Sequence, residues 1–285
     1  MSEPRVLLIN NNSLKPPVAP VGLDYLASDL KHRDIKPVIA DLIWSNDSLG
    51  ELKKRIDKED LDLISLTIRN LDDSSGESKE FFLNSYREII SWIQNNYSVP
   101  VVLGGCGFSI MPEEVLKYCG ASFGIWGEGE NFLSQLIYAL HEGRSYYHIP
   151  GLLYWWKGEV VSNPPEYCCL TEMEHLAERN HIDNYLYFIK GGQGNIETKR
   201  GCNQACLYCA DPLSRGQEVR LRSPDHVVKE LFNLLEQGVN CFHFCDSEFN
   251  LPLDHAEEIC RAIIKSGINK KFSWYAYCSP WPFTP

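Results

Sequence analysis

The chain has 285 residues, 44% of them hydrophobic, which is enough apolar material for two compact domains that each bury a core and argues against disorder. Acidic residues outnumber basic ones by 38 to 27, and no Lys/Arg-rich run offsets this locally, so a general binder of phosphate backbones is disfavoured and nothing argues for nucleic acid as substrate. No apolar stretch reaches bilayer-spanning length and MSEPRVLLIN lacks an export-signal pattern, so a cytoplasmic protein with no membrane attachment is expected.

The first 140 residues alternate short apolar runs with amphipathic stretches, the pattern of strands and crossover helices in a parallel sheet. Strands are predicted at residues 5–10, 36–41, 61–67, 99–104 and 123–126. Helices are predicted between and after them at 22–31, 48–56, 80–95, 112–118 and 131–141. Ser48 with Glu51 reads as a capping box, and Pro112 before Glu113 and Glu114 suits a first helical turn. Five strands and five helices make a doubly wound, Rossmann-like α/β domain over residues 1–142. Residues 143–190 read as a connector carrying a hairpin, with Lys157 and Gly158 at its turn. From 191 to 285 a second βα series begins, with strands at 195–199, 240–246 and 272–277 and helices at 224–237 and 253–266. Ser223 is the predicted N-cap of the first of these helices, Pro224 its first residue, and Gly238 its stop.

Eleven cysteines in a chain without an export signal are expected as thiols, and clustered ones as metal ligands. Cys106, Cys119, Cys241, Cys245, Cys260 and Cys278 lie in apolar or helical surroundings and read as small buried hydrophobes. Cys202, Cys206 and Cys209 differ, because they follow a predicted strand at spacing CxxxCxxC behind Gly201. Three thiolates of one tight loop can grip one face of an iron-sulfur cube and leave one iron open, as a catalytic cluster requires. Zinc is the competing reading, with His226 or His243 as the fourth ligand.

The segment TKRGCNQACLYC, with Tyr208 just before the third cysteine, resembles the signature of radical S-adenosylmethionine enzymes. The resemblance implies a [4Fe-4S] cluster on Cys202, Cys206 and Cys209, with S-adenosylmethionine chelating the open iron and cleaved to a 5'-deoxyadenosyl radical. Tyr208 would contact the adenine or pack beside the loop, and Asp246 or Glu248 of CDSEFN would contact the methionine amino group or serve as ordinary loop residues. The family's barrel has six βα units, so three strands and two helices after Lys190, ending at SPWPFTP, are read as a partial barrel.

Loops after the strands of a doubly wound sheet carry its ligands. Here they are NNNSLKPPVAPVGLDYLA, TIRN, GGCGF and WGEGE. Taken in this order, and above all in PVGLDYLASDL, LGG and GEGE, they resemble the cobalamin-binding domain that precedes the cluster in one radical S-adenosylmethionine class. The resemblance nominates Pro20, Gly22, Leu23, Thr67, Arg69, Asn70, Gly104, Gly105, Gly127, Glu128 and Gly129 as cobalamin contacts. There is no DxHxxG motif, so no histidine is offered to the lower face of cobalt; Arg69 is the candidate for that face, or a surface arginine. The first loop lacks GxGxxG and no GxxxxGK[ST] occurs, which lowers nucleotide-binding readings.

Together these resemblances imply methyl transfer to an unactivated carbon or a related radical rearrangement. The substrate, small molecule or peptide, is unspecified, and flavodoxin or ferredoxin would supply the electron. A partner chain providing the other barrel half, or a non-catalytic cobalamin- and cluster-binding fragment, are the alternatives.

Overall fold

The computed structural model describes residues 3–73, 76–78 and 80–283. The chain divides into two compact units, one of Met1–Leu14 with Asp29–Cys168 and the other of Lys15–Ser28 with Cys169–Pro285. The boundary at Ser28 falls inside a helix, α1 (Val21–His32).

Among the described residues the first unit builds one seven-stranded sheet in the order β2-β1-β3-β4-β5-β6-β7. Its strands are β1 (Arg5–Asn10), β2 (Lys36–Asp41), β3 (Leu63–Thr67), β4 (Val101–Gly104), β5 (Phe123–Ile125), β6 (Leu152–Trp156) and β7 (Glu159–Ser162). The first five are parallel and correspond to the five predicted strands, shortened by one to two residues at some ends. The helices are α2 (Ser48–Lys58), α3 (Leu83–Asn96), α4 (Cys106–Ile110), α5 (Pro112–Cys119) and α6 (Phe132–His141). Leu7 and Ile9 of β1 pack with Leu52 and Ile56 of α2, Ile90 and Ile93 of α3 and Leu116 of α5. Val6 and Leu8, equally buried, point by strand alternation to the opposite face.

Three local expectations are corrected. The cap of α2 is Asp47, whose Oδ1 accepts from Gly50 N at 2.9 Å, while Glu51 pairs with Arg55 at 2.8 Å instead of closing a box with Ser48. The hairpin expected within a connector is β6–β7, and it extends the first sheet antiparallel to β5. Its turn uses positive φ at both Lys157 (51°) and Gly158 (85°), the geometry whose twist matches the flanking strands. Of the cysteines read as buried, only Cys119 is; burial pushes its thiol up to about 11. Cys241, Cys245 and Cys260 are half-buried, and Cys106 and Cys278 are exposed because one opens α4 on a loop and the other lies beyond the last strand.

In the second unit, α7 (Asn184–Ile189) leads to β8 (Gly194–Ile196), β9 (Lys199–Arg200), α8 (Asp211–Arg215), β10 (Arg220–Leu221), α9 (Pro224–Glu236), β11 (Cys241–Phe244), α10 (Leu253–Lys265) and β12 (Ser273–Ala276). The parallel order β12-β11-β8 is that of consecutive barrel strands. Ile196, Phe242 and Phe244 bury one sheet face against Val227, Leu231 and Leu234 of α9 and Ile259 and Ile263 of α10. Pro224 opens α9 as predicted, but Ser223 makes no side-chain cap there. The strand predicted at 195–199 is two elements, because Thr198 N turns away to donate to Asp246 Oδ1 at 2.8 Å and Lys199–Arg200 then pairs with β10.

Candidate functional site

Sheet order reverses between β1 and β3, so the crevice beyond the carboxyl ends of these strands and of β4 and β5 is where a doubly wound sheet receives a ligand. The structure joins the loops after β3, β4 and β5 there. Gly105 has φ +97°, and a Cβ on it would lie 2.7 Å from Ile68 O and 2.8 Å from Thr67 Oγ1. Gly107 N donates to Ile68 O at 2.9 Å, and its own missing Cβ lets the Arg69 carbonyl approach. Cys106 Sγ donates to that carbonyl at 3.3 Å. The buried Ser109 hydroxyl donates to Gly105 O and accepts from Gly127 N, both at 3.0 Å, linking the second loop to the third.

Of the predicted residues, Thr67, Arg69, Asn70, Gly104, Gly105 and Gly127 are therefore brought together. Arg69 is exposed, with Nη1 donating to Asn70 Oδ1 at 2.7 Å. Glu128 is buried, and its Oε2 accepts from Cys168 N at 2.8 Å, so this carboxylate holds the loop; the carbonyl of Gly129 accepts from Leu133 N in α6. Pro20, Gly22 and Leu23 group with the second unit, where Leu23 is buried and Gly22 exposed. Cys106, Gly107 and Ser109 are the residues sequence reasoning missed. The GxG within GGCGF was the available signal for the glycine.

At the carboxyl end of β8 and β9 the backbone turns sharply into the cysteine loop. Gly201 has φ +86°, and a Cβ there would fall 1.9 Å from Glu218 O, so only glycine fits. Cys202 N then donates to Gly216 O at 3.1 Å and Cys209 N to Cys206 O at 3.2 Å, curling the loop with Leu207 and Tyr208 standing in the open. None of the three forms a disulfide. Burial raises the Cys202 thiol above its ordinary value, with Asp211, Cys209 and Glu248 adding to the effect. The Tyr208 phenol is raised by Cys206, chiefly through its charge and hydrogen bond, with Cys209 and Glu248 contributing. These mutual effects put Cys202, Cys206, Cys209, Tyr208 and Glu248 in one neighbourhood.

Among the described residues no three His, Cys, Asp or Glu side chains close on a common point, as ligands of a single ion must; thiolates that each hold a different iron of a cube need not. His243 is stacked on Tyr275 at 4.5 Å between centroids, and His226 lies 4.0 Å from Glu174. The two acidic candidates separate cleanly. Asp246, 2% exposed, accepts from Thr198 N at 2.8 Å, Thr198 Oγ1 at 2.6 Å and Lys199 N at 3.3 Å, which commits it to holding the strand end. Glu248 instead keeps Oε2 buried with no partner, an acceptor available to an ammonium group.

Behind the loop lies a charge network absent from the sequence reading. Glu230 accepts from Arg179 and Arg222 at 2.6 Å each and from Tyr25 OH at 2.7 Å, all fully or almost fully buried. Arg179 also reaches Asp24 at 2.8 Å. Burial alone would raise the Glu197 carboxyl, but Arg200 and Arg215, each at 2.8 Å, overcome it and hold it at about 2.

Comparison with known proteins matches residues 7–137 to the B12 binding domain family and residues 196–279 to the Radical SAM superfamily. The tryptophan 2-C-methyltransferase of Streptomyces laurentii is 30% identical over 98% of this chain and 56% of its own length. The solved structure of TsrM from Kitasatospora setae, a radical S-adenosylmethionine methyltransferase with cobalamin and a [4Fe-4S] cluster bound, superposes with TM-score 0.91 at 30% identity, covering 100% of this chain and 56% of that one. OxsB, a cobalamin-dependent S-adenosylmethionine radical enzyme, shares the fold at TM-score 0.78 and 21% identity over 95% of this chain and 38% of its own. The chain thus spans about half the length of the first two relatives.

Proposed function

Because the chain belongs to the cobalamin-dependent radical S-adenosylmethionine family, we propose that it carries the cofactor-binding half of a methyltransferase acting on a carbon of a small-molecule or peptide substrate. In this reading Cys202, Cys206 and Cys209 hold a [4Fe-4S] cluster. Glu248 would accept from the amino group of S-adenosylmethionine and Tyr208 would contact its adenine, while Asp246 fixes the strand end that presents Glu248. Thr67, Arg69, Asn70, Gly104, Gly105, Gly127 and Gly129 would form the cobalamin cradle, with Arg69 as the exposed cation of the loop after β3.

The single observation that carries the reading is the unpaired, buried Glu248 oxygen beside three free thiols on one bend. A buried acceptor left without a partner costs about 1–3 kcal/mol, a cost that an ammonium donor arriving with the ligand would relieve at Glu248. When bound, the cluster and cobalamin supply the one-electron and methyl-transfer chemistry. The residues of this chain bind, orient and shield: the glycines let cofactors approach the backbone, and Ser109 and Glu128 keep the loops in register. An electron donor such as flavodoxin or ferredoxin belongs to the proposal, as does a cytoplasmic setting; no helix among the described residues is long and apolar enough to cross a membrane.

The test is anaerobic reconstitution of the chain with iron and sulfide, followed by titration with hydroxocobalamin. Wild type should take up about four irons and one corrinoid, and Cys206→Ala should lose the iron while keeping the corrinoid. Iron content unchanged by Cys206→Ala would end the reading.

A further inference from the structure

Lys199 lies directly ahead of the cysteine loop, and the function proposed above leaves it without a role. Its side chain is 3% exposed, an expensive position for an ammonium unless it is compensated. Nζ donates to Glu248 O at 2.5 Å and contacts Phe249 O at 3.4 Å. Among the described residues the carboxylate in ion-pair reach is that of Asp246, at 3.8 Å, and that group is already taken up by Thr198 and the Lys199 amide. The contrast with its neighbours is sharp: Arg200 and Arg215 each meet Glu197 at 2.8 Å. Lys199 therefore carries a charge that its own surroundings match only in part, while the backbone it holds is that of Glu248, the residue with the free oxygen.

Burial pulls the Lys199 ammonium below its ordinary range, and Asp246, Cys202, Cys278 and Glu248 offset this only in part. Every other group in that company is neutral or negative when ionised, and a thiolate-ligated cluster is negative as well, more so after it gains an electron. A buried cation at such a place stabilises the reduced cluster more than the oxidised one.

We propose that Lys199 is a positioning residue and electrostatic counterweight for the cluster held by Cys202, Cys206 and Cys209, raising its reduction potential while tying down the Glu248–Phe249 backbone. This rests on the cluster reading above. Replacing Lys199 with an uncharged residue removes the positive charge and leaves the buried Asp246 carboxylate unmatched, so both effects lower the potential.

The experiment is an electron-paramagnetic-resonance redox titration of the full chain after anaerobic reconstitution, comparing wild type, Lys199→Met and Lys199→Arg. At a fixed potential near the wild-type midpoint, Lys199→Met should show the ratio of reduced to oxidised cluster lowered tenfold or more, about 59 mV for a one-electron couple. Lys199→Arg should stay within threefold of wild type. If Lys199→Met fails to load iron while Lys199→Arg loads it, the charge requirement is supported by that contrast. A loaded Lys199→Met with the wild-type midpoint, or equal shifts or equal loss of loading in both variants, would overturn the inference. A wild-type chain that takes up no cluster would sink the cofactor reading itself, an outcome distinct from all of these.

Discussion

Gly201→Ala is the most direct challenge to the cysteine loop. At φ +86° an alanine pays roughly 1–2 kcal/mol for the left-handed backbone. Its Cβ would also stand 1.9 Å from the carbonyl oxygen of Glu218, a backbone atom that cannot rotate aside. Relief requires moving the strand end, which endangers the short β9–β10 pairing at Arg200 and Arg220 and the bond from Cys202 N to Gly216 O, each worth about 1 kcal/mol. The sum is about 3 kcal/mol against the second unit, concentrated where the first thiol is aimed. Urea unfolding followed by circular dichroism reads the stability, and iron per chain after reconstitution reads the loop. The variant should lose both stability and most of its iron. Wild-type iron content together with an unchanged urea midpoint would show that the turn tolerates a side chain, and the geometric argument would fail.

Three further outcomes follow from the same reasoning. Glu230→Ala strands the buried guanidinium groups of Arg179 and Arg222 and should cost about 3–5 kcal/mol in urea unfolding; a loss below about 1 kcal/mol would mean that water or Asp24 compensates. The Glu197 carboxyl, held at about 2 against an ordinary 4.5, contributes about 3 kcal/mol that is complete above pH 4.5 and disappears as pH falls toward 2. Glu197→Gln should flatten the pH dependence of the urea midpoint across that window and leave the slope above pH 5 as it was. Gly105→Ala, with its Cβ 2.7 Å from Ile68 O, should weaken hydroxocobalamin binding at least tenfold in an absorbance titration, yet leave iron uptake intact; parallel loss of both would contradict the assignment of separate loops to separate cofactors.

The parallel sheet was legible because buried strands on both faces write continuous apolar runs such as VLLI and LISL, and the cluster loop because three cysteines at fixed spacing are chemically conspicuous. What stayed hidden depends on partners far along the chain. Tyr25 and Glu230 are 205 positions apart, and Asp24 and Arg179 are 155, so no local pattern announces them. Asp246 and Glu248 looked equivalent because their difference lies in Thr198, which consumes one carboxylate and spares the other. Ser48 lost the cap to Asp47 by a single residue, a margin that propensity does not resolve since both side chains cap well. Ser109 sits in a short helix of the loop after β4, where its contact with Gly127 exists only once β5 has paired.

The assignment of residues 15–28 to the second unit has a practical corollary for dissecting the molecule. No single cut separates the units: a product starting at residue 169 would lack Asp24 and Tyr25 and would bring Arg179 and Arg222 to the interior with one acidic partner between them. Limited proteolysis, domain shuffling or expression in pieces must therefore treat the stretch following the first strand as common property, and a soluble C-terminal product is to be sought by grafting that stretch back on.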